Sequence, residues 1–196
     1  MKKVLGIYED SSQWQMLAHL TEKSPMIGAI FLLGVSTGLR ISDLLALRVE
    51  DVGENFQVVE SKTKKIREIH LPKNIWRNLK DYIDFRGLEG SDKLFPTTRQ
   101  TVHKYFALYG HEKGIRSVGT HSMRVTYAWN VYRRSTCLLA VKKAMNHKYI
   151  STTILYLVGG LEWLVGRYMG EFGGIEPCFS GFEGLGAKKC EIMRGG

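Results

Sequence analysis

Six side chains of this sequence could move charge and protons together: Arg40, Lys62, His121, Arg124, His147 and Tyr156. A guanidinium holds a fixed positive charge and presents paired donors to an anion. Imidazole exchanges protons near neutral pH, and a phenol becomes a nucleophile once its proton is taken. Singly, each has an ordinary reading. Arg40 follows Gly38, which stops a helix, so it reads as a surface arginine after a C-cap. Lys62 shares a polar turn with Lys64 and Lys65. His121 and Arg124 stand three apart, hence on one face if helical. His147 follows Asn146 at a helix end, where it could satisfy terminal carbonyls, and Tyr156 sits in an apolar stretch that suits a core tyrosine.

The elements that must carry these residues are mainly helical. Ser24-Pro25 reads as N-cap and first residue of an apolar helix from Met26 to about Ser36. A short helix follows through Ser42 to Leu47. Asn55 to Ser61 and Ile66 to Leu71 read as two strands joined by the turn Thr63-Lys64-Lys65, and Pro72 ends the second. Helical spacing returns from Asn74 to Arg86, with Ile75, Leu79, Tyr82 and Ile83 on one side. Further helices are expected from about Thr98 to Glu112, after caps at Thr120 and Ser122, from Leu138 to Met145, and after a cap at Ser151. Beyond Leu157, glycines crowd a segment that still carries Trp163, Tyr168, Phe172, Phe179 and Phe182. That mixture reads as a tail that orders against a partner surface.

The 196 residues suit one domain with a real core. Lys and Arg number 28 against 19 Asp and Glu, a formal charge of +9 that favours a polyanionic partner. Cys137, Cys178 and Cys190 form no CxxC pair, which argues against a structural zinc site and fits a reducing cytosol. The sequence start does not read as a signal peptide, and the longest apolar run, Met26 to Val35, is too short to span a bilayer. A cytoplasmic protein is expected, in a bacterial, archaeal or viral host cell.

Order and spacing turn these ordinary residues into a pattern. Thr37-Gly38-Leu39-Arg40-Ile41-Ser42-Asp43-Leu44, Ser61-Lys62-Thr63, Thr120-His121-Ser122-Met123-Arg124, Asn146-His147 and Ile150-Ser151-Thr152-Thr153 with Tyr156 together resemble the active-site signature of the tyrosine recombinase, or phage integrase, family. The resemblance runs from about Met26 to Leu157. Asn146 stands where the family usually has glycine, and Val125 where a polar or basic residue is commoner.

This resemblance implies an α+β fold, mainly helical with a small antiparallel sheet, of the DNA breaking-rejoining type. It divides the chain into an N-terminal segment over 1–20, a catalytic domain over 21–157 and a Gly-rich tail over 158–196, exchanged between protomers. It implies that Tyr156 attacks a DNA phosphodiester, giving a 3′-phosphotyrosine. Arg40 and Arg124 would stabilise charge on the nonbridging oxygens. His121 would assist removal of the phenolic proton, His147 would hydrogen-bond the phosphate, and Lys62 would protonate the leaving 5′-oxygen, with Lys64 and Lys65 as close rivals. Asp43 reads either as a buttress for Arg40 or as a solvated carboxylate.

No metal or nucleotide cofactor is expected, in keeping with the absence of a Walker motif and of a clustered carboxylate metal site. The implied partners are double-stranded DNA and further copies of the chain, two per site and four at synapsis. Arg99, Lys104, Lys142, Lys143 and Lys148 are candidate phosphate contacts. Family members usually carry an additional N-terminal helical domain; the twenty residues here fit either a short member, like the small inverting recombinases of bacterial phase switches, or a fragment. The alternatives are an accessory DNA-binding protein with an inactive site, and a type IB topoisomerase.

Overall fold

The computed structural model describes residues 5–115 and 118–171, with side chains as far as Glu162. The chain divides into two units, Met1–Trp163 and Leu164–Gly196. The expected class holds: eight α-helices and a two-stranded antiparallel sheet among the described residues. In chain order these are α1 (Asp10–Lys23), α2 (Pro25–Thr37), α3 (Ile41–Leu44), β1 (Asn55–Val59), β2 (Ile66–His70), α4 (Lys73–Arg86), α5 (Arg99–Glu112), α6 (Ser122–Ser135), α7 (Leu138–Ala144) and α8 (Ile150–Glu171).

Helix α2 is the axis of the fold because it is apolar around its whole circumference. Ile27, Ile30, Phe31 and Leu33 are all buried, and α1, α4 and α6 pack around the helix. Phe31 meets Phe106 of α5 edge-on, with ring centroids 5.9 Å apart. Pro25 occupies the first turn, as its place in the sequence suggests. Gly38 ends α2 in the left-handed region at φ 64°, donating its amide to the Gly34 carbonyl.

Gly38 meets a second demand, since a Cβ there would lie 2.3 Å from Cδ1 of Tyr127. Gly87 caps α4 with φ 58° and has nothing within 4 Å of its would-be Cβ. Gly38→Ala is therefore expected to cost about 2–4 kcal/mol in urea unfolding, whereas Gly87→Ala costs about 1 kcal/mol, the backbone strain alone. Equal losses at the two positions would show that the Tyr127 contact carries no cost.

The N-terminal residues differ most from expectation. The sequence shows no strong apolar stripe before residue 24, yet α1 forms and docks on α2 through Met16 and Leu20, both fully buried. Burying each of these stabilises by about 1.5–3 kcal/mol, enough to hold a helix too short to persist alone. The extended residues before it are tied to α6: the Ile7 amide donates to Thr126 Oγ1 at 2.8 Å, and Trp129 Nε1 to the Tyr8 carbonyl at 3.2 Å.

Two expected caps are absent. His121, not Thr120 or Ser122, is the N-cap of α6, and the Ser122 hydroxyl instead accepts from the Gly119 amide. Ser151 is the second residue of α8, inside the helix. That helix also runs past Leu157, where the sequence suggests a tail. Gly159 and Gly160 are packing positions: a Cβ would fall 2.4 Å from the Tyr8 hydroxyl and 2.3 Å from the Trp129 ring. The rest of the expected tail, from residue 172, lies outside the described residues. Among the described residues, no helix is long and apolar enough to cross a membrane.

Candidate active site

Arg40 enters the site because the left-handed turn at Gly38 swings the chain out of α2 and makes Arg40 the N-cap of α3. Its side chain is one-quarter exposed, and Nη1 lies 2.9 Å from Oε2 of Glu60. Arg124, on the first turn of α6, is almost completely buried. It donates Nη1 to the Gly38 carbonyl and Nη2 to the Met145 carbonyl at 2.9 Å. These two bonds join the end of α2 to the end of α7, so one side chain fixes the floor of the site. Its Nε has no hydrogen-bond partner.

The sequence pattern does not single out Glu60 or Arg67, yet both belong to this cluster. Glu60 is fully buried, with Oε1 3.9 Å from Arg124 Nη1 and 4.0 Å from Arg67 Nη1. Arg67 donates to the Thr37 carbonyl and stacks over Tyr127, 5.5 Å from the ring centroid. Burial alone would raise the Glu60 pKa, but the Thr63 hydroxyl and the Arg40 and Arg124 charges outweigh it and hold the carboxyl below its ordinary value. The strand period is the available signal. With Val58 buried on β1, Glu60 falls on the inward face two residues on.

Asp43 is the buried buttress rather than a solvated carboxylate. Its Oδ1 accepts from the Ser61 amide at 3.0 Å and the Ser61 hydroxyl at 2.6 Å, and Oδ2 lies 3.9 Å from Arg40. Lys62 is exposed in the β1–β2 turn, between Ser61, held by Asp43, and Thr63, held by Glu60 at 2.7 Å. Lys64 and Lys65 are exposed in the same turn, Lys64 in the left-handed region at φ 56°.

Three rings face one another. The Tyr156 centroid lies 5.2 Å from that of His121 and 5.0 Å from that of His147. His121 keeps an open face to solvent, yet partial burial and the charges of Arg124, Arg40 and Arg99 lower its pKa. His147 is held down to about 4 by burial, then by Arg124 and Arg40. Its Nδ1 lies 3.1 Å from Thr153 Oγ1, a fully buried hydroxyl one helical turn before Tyr156. Asn146 has φ 55°, and asparagine is among the few non-glycine residues that tolerate this conformation. The family glycine and this asparagine thus answer one backbone demand.

The His147 shift has a consequence for stability. Unfolded, the ring takes a proton near 6.5; folded, only near 4. The folded state is therefore at full advantage above pH 6.5 and loses this contribution as pH falls towards 4. His147→Asn is expected to flatten part of that decline when urea midpoints are measured across the window. An unchanged slope would remove His147 as its source. The Glu60 carboxyl is held below its ordinary 4.5, so its contribution is full above that value and is lost only as pH falls beneath it.

The five candidate phosphate contacts are scattered. Arg99 opens α5, close enough for its charge to act on His121. Lys104 is exposed on α5. On α7, the Lys142 carbonyl receives the His147 amide at 3.0 Å, and Lys143 lines a cleft with Arg67 and Asn146. Lys148 places its ammonium over the Tyr149 ring, 5.1 Å from the centroid. Among the described residues, no cluster of His, Cys, Asp or Glu could hold a metal ion.

Known proteins resemble this chain in sequence and in fold. The model of the phage integrase family matches residues 10–158. Over 148 residues the chain is 27% identical to the probable integrase/recombinase YoeC of Bacillus subtilis, covering 71% of this chain and 81% of that protein. It is 30% identical over 139 residues to the tyrosine recombinase XerA of Pyrococcus furiosus, covering 65% of this chain but 48% of that one. The chain thus spans most of YoeC but only about half of XerA. A crystal structure of XerA recombinase superposes with a TM-score of 0.66 at 22% identity, covering 87% of this chain and 66% of that one. A lambda integrase(75-356) dimer bound to a COC' core site superposes at 0.62 with 20% identity, covering 81% and 62%. The superpositions speak to the fold, and the matched residues to descent: the chain belongs to the phage integrase family of tyrosine recombinases.

Proposed function

We propose that this chain is the catalytic domain of a site-specific recombinase that cuts and rejoins double-stranded DNA through a 3′-phosphotyrosine bond at Tyr156. The observation that carries this reading is the meeting of Arg40 and Arg124 at one buried centre beside the His121–Tyr156–His147 ring cluster. A phosphodiester entering there meets the arginines, Arg40 from its exposed quarter and Arg124 from beneath. The Tyr156 oxygen attacks phosphorus as the bond to the 5′-oxygen breaks. The phenolic proton passes to His121, whose lowered pKa keeps the ring neutral and able to accept it at pH 7. The 5′-oxygen leaves with a proton from Lys62, the lysine whose two neighbours are both anchored.

His147 is neutral at pH 7 for the same reason. Its Nδ1 pairs with the Thr153 hydroxyl, and in the tautomer protonated on Nε2 the other ring nitrogen donates to a phosphate oxygen. In rejoining, a different 5′-hydroxyl attacks the phosphotyrosine and the same groups work in reverse. Arg99, Lys104, Lys142, Lys143 and Lys148 serve as flanking phosphate contacts, supported by the +9 formal charge. The assembly is a dimer on each site and a tetramer at synapsis.

The test does not depend on a defined target site. The chain is mixed with a randomised pool of nicked duplexes, whose cleaved strand escapes before it can be rejoined. Peptide mapping of the covalent product should find a nucleotide on Tyr156, formed in EDTA without added nucleotide. Absence of any adduct across the pool, or one on another residue, would overturn the reading.

A further inference from the structure

We propose that Glu60 is a positioning residue for strand cleavage, tying the turn that carries Lys62 to the arginines that receive the phosphate. The inference deepens the recombinase reading and rests on it. Glu60 is the last residue before that turn, and its backbone closes it: its amide donates to the Lys65 carbonyl at 3.0 Å, and its carbonyl accepts from the Lys64 amide at 2.8 Å. Its side chain turns inward, is fully buried, and divides its oxygens between two tasks. Oε2 accepts the Thr63 hydroxyl at 2.7 Å and lies 2.9 Å from Arg40 Nη1. Oε1 faces Arg67 and Arg124 at 4.0 and 3.9 Å.

Two physical consequences follow. A polar turn of five exposed residues has little packing of its own, so its position is set by whatever it is bonded to. Thr63 on Glu60, and Ser61 on Asp43 and on the Ser42 hydroxyl, are its side-chain bonds, on either side of Lys62. The second consequence is electrostatic. Three guanidiniums and two carboxylates, Glu60 and Asp43, leave +1, which one phosphodiester charge neutralises. Without the Glu60 charge the surplus is +2, and the arginines repel one another across a desolvated centre.

The two roles separate by mutation. Thr63→Val keeps the charge and cuts the tie, whereas Glu60→Gln keeps the shape and removes the charge. Thr63 is exposed, so its variant folds even if the Glu60 variant does not. Duplexes recovered by covalent capture are made in two forms, one with the natural 5′-oxygen at the scissile phosphate and one with a bridging 5′-sulfur. A thiolate leaves without a proton, so the sulfur form does not need Lys62. Thr63→Val should slow adduct formation about 30-fold on the oxygen substrate and no more than about threefold on sulfur. Thr63→Ser should recover most of the oxygen rate. Glu60→Gln should slow both substrates, because the arginines serve both.

A parallel measurement uses the free chain. Amide hydrogen exchange at Ser61 and Lys64 should quicken about tenfold in Thr63→Val, with α2 and α6 unchanged. Equal losses on oxygen and sulfur in Thr63→Val, a Glu60→Gln rate equal to wild type, or unchanged exchange in the turn would each overturn the proposal. If the wild-type chain forms no adduct with either DNA, the recombinase reading fails, and with it any role of Glu60 in cleavage; quickened exchange would then still mark the tie as part of the fold.

Discussion

A Tyr156→Phe chain is expected to bind DNA as the wild type does and to form no covalent adduct with it. The substitution removes one oxygen and leaves the ring in place between His121 and His147. The half-buried ring keeps its packing, so unfolding in urea should move by less than about 1 kcal/mol. The chemistry should fall by at least about 10⁴-fold, because no other group then supplies the attacking oxygen. Gel-shift titration reports the binding, and denaturing electrophoresis after incubation with the captured duplex reports the bond. A persistent adduct would point to another nucleophile, with exposed Tyr149, seven residues earlier, the first to map.

Arg124→Lys should damage the protein in two ways at once. The guanidinium reaches the Gly38 and Met145 carbonyls together, and an ammonium on a flexible stem satisfies at most one of them. One buried acceptor is left bare, an expected cost of about 1–3 kcal/mol in urea unfolding. Adduct formation should slow by about 10²–10³-fold, since a point charge does not match the paired donors offered to the phosphate oxygens. Arg134→Lys, exposed at the end of α6, is the matched control and should change neither quantity. A variant with full stability and a lost rate would mean that the carbonyl bonds contribute little and that Arg124 acts through its phosphate contact alone.

Much of the site is legible in the sequence because its signals are local. Pro25 and Gly38 mark the ends of α2, Pro72 and Gly87 bracket α4, and each acts through the backbone of its own turn. The spacing of His121 and Arg124 sets them one helical turn apart wherever α6 lies. Glu60 escapes notice for the opposite reason. In sequence it is one more acid beside a polar turn, and only the folded chain brings Arg40 and Arg124, from remote segments, to join Arg67 around it. Gly159 and Gly160 look like tail residues in the sequence because glycine signals both freedom and close approach, and the contacting atoms of Tyr8 and Trp129 belong to distant segments.

By itself the sequence determined the chemical types, their order along the chain and the helices that carry most of them. Tertiary structure decided that Asp43 faces inward, that the anchors of the β1–β2 turn flank Lys62, and that an N-terminal helix closes the core. Helix caps and apolar periods are read within a turn or two of chain, whereas the charge balance of a buried site depends on groups that meet only when remote elements pack.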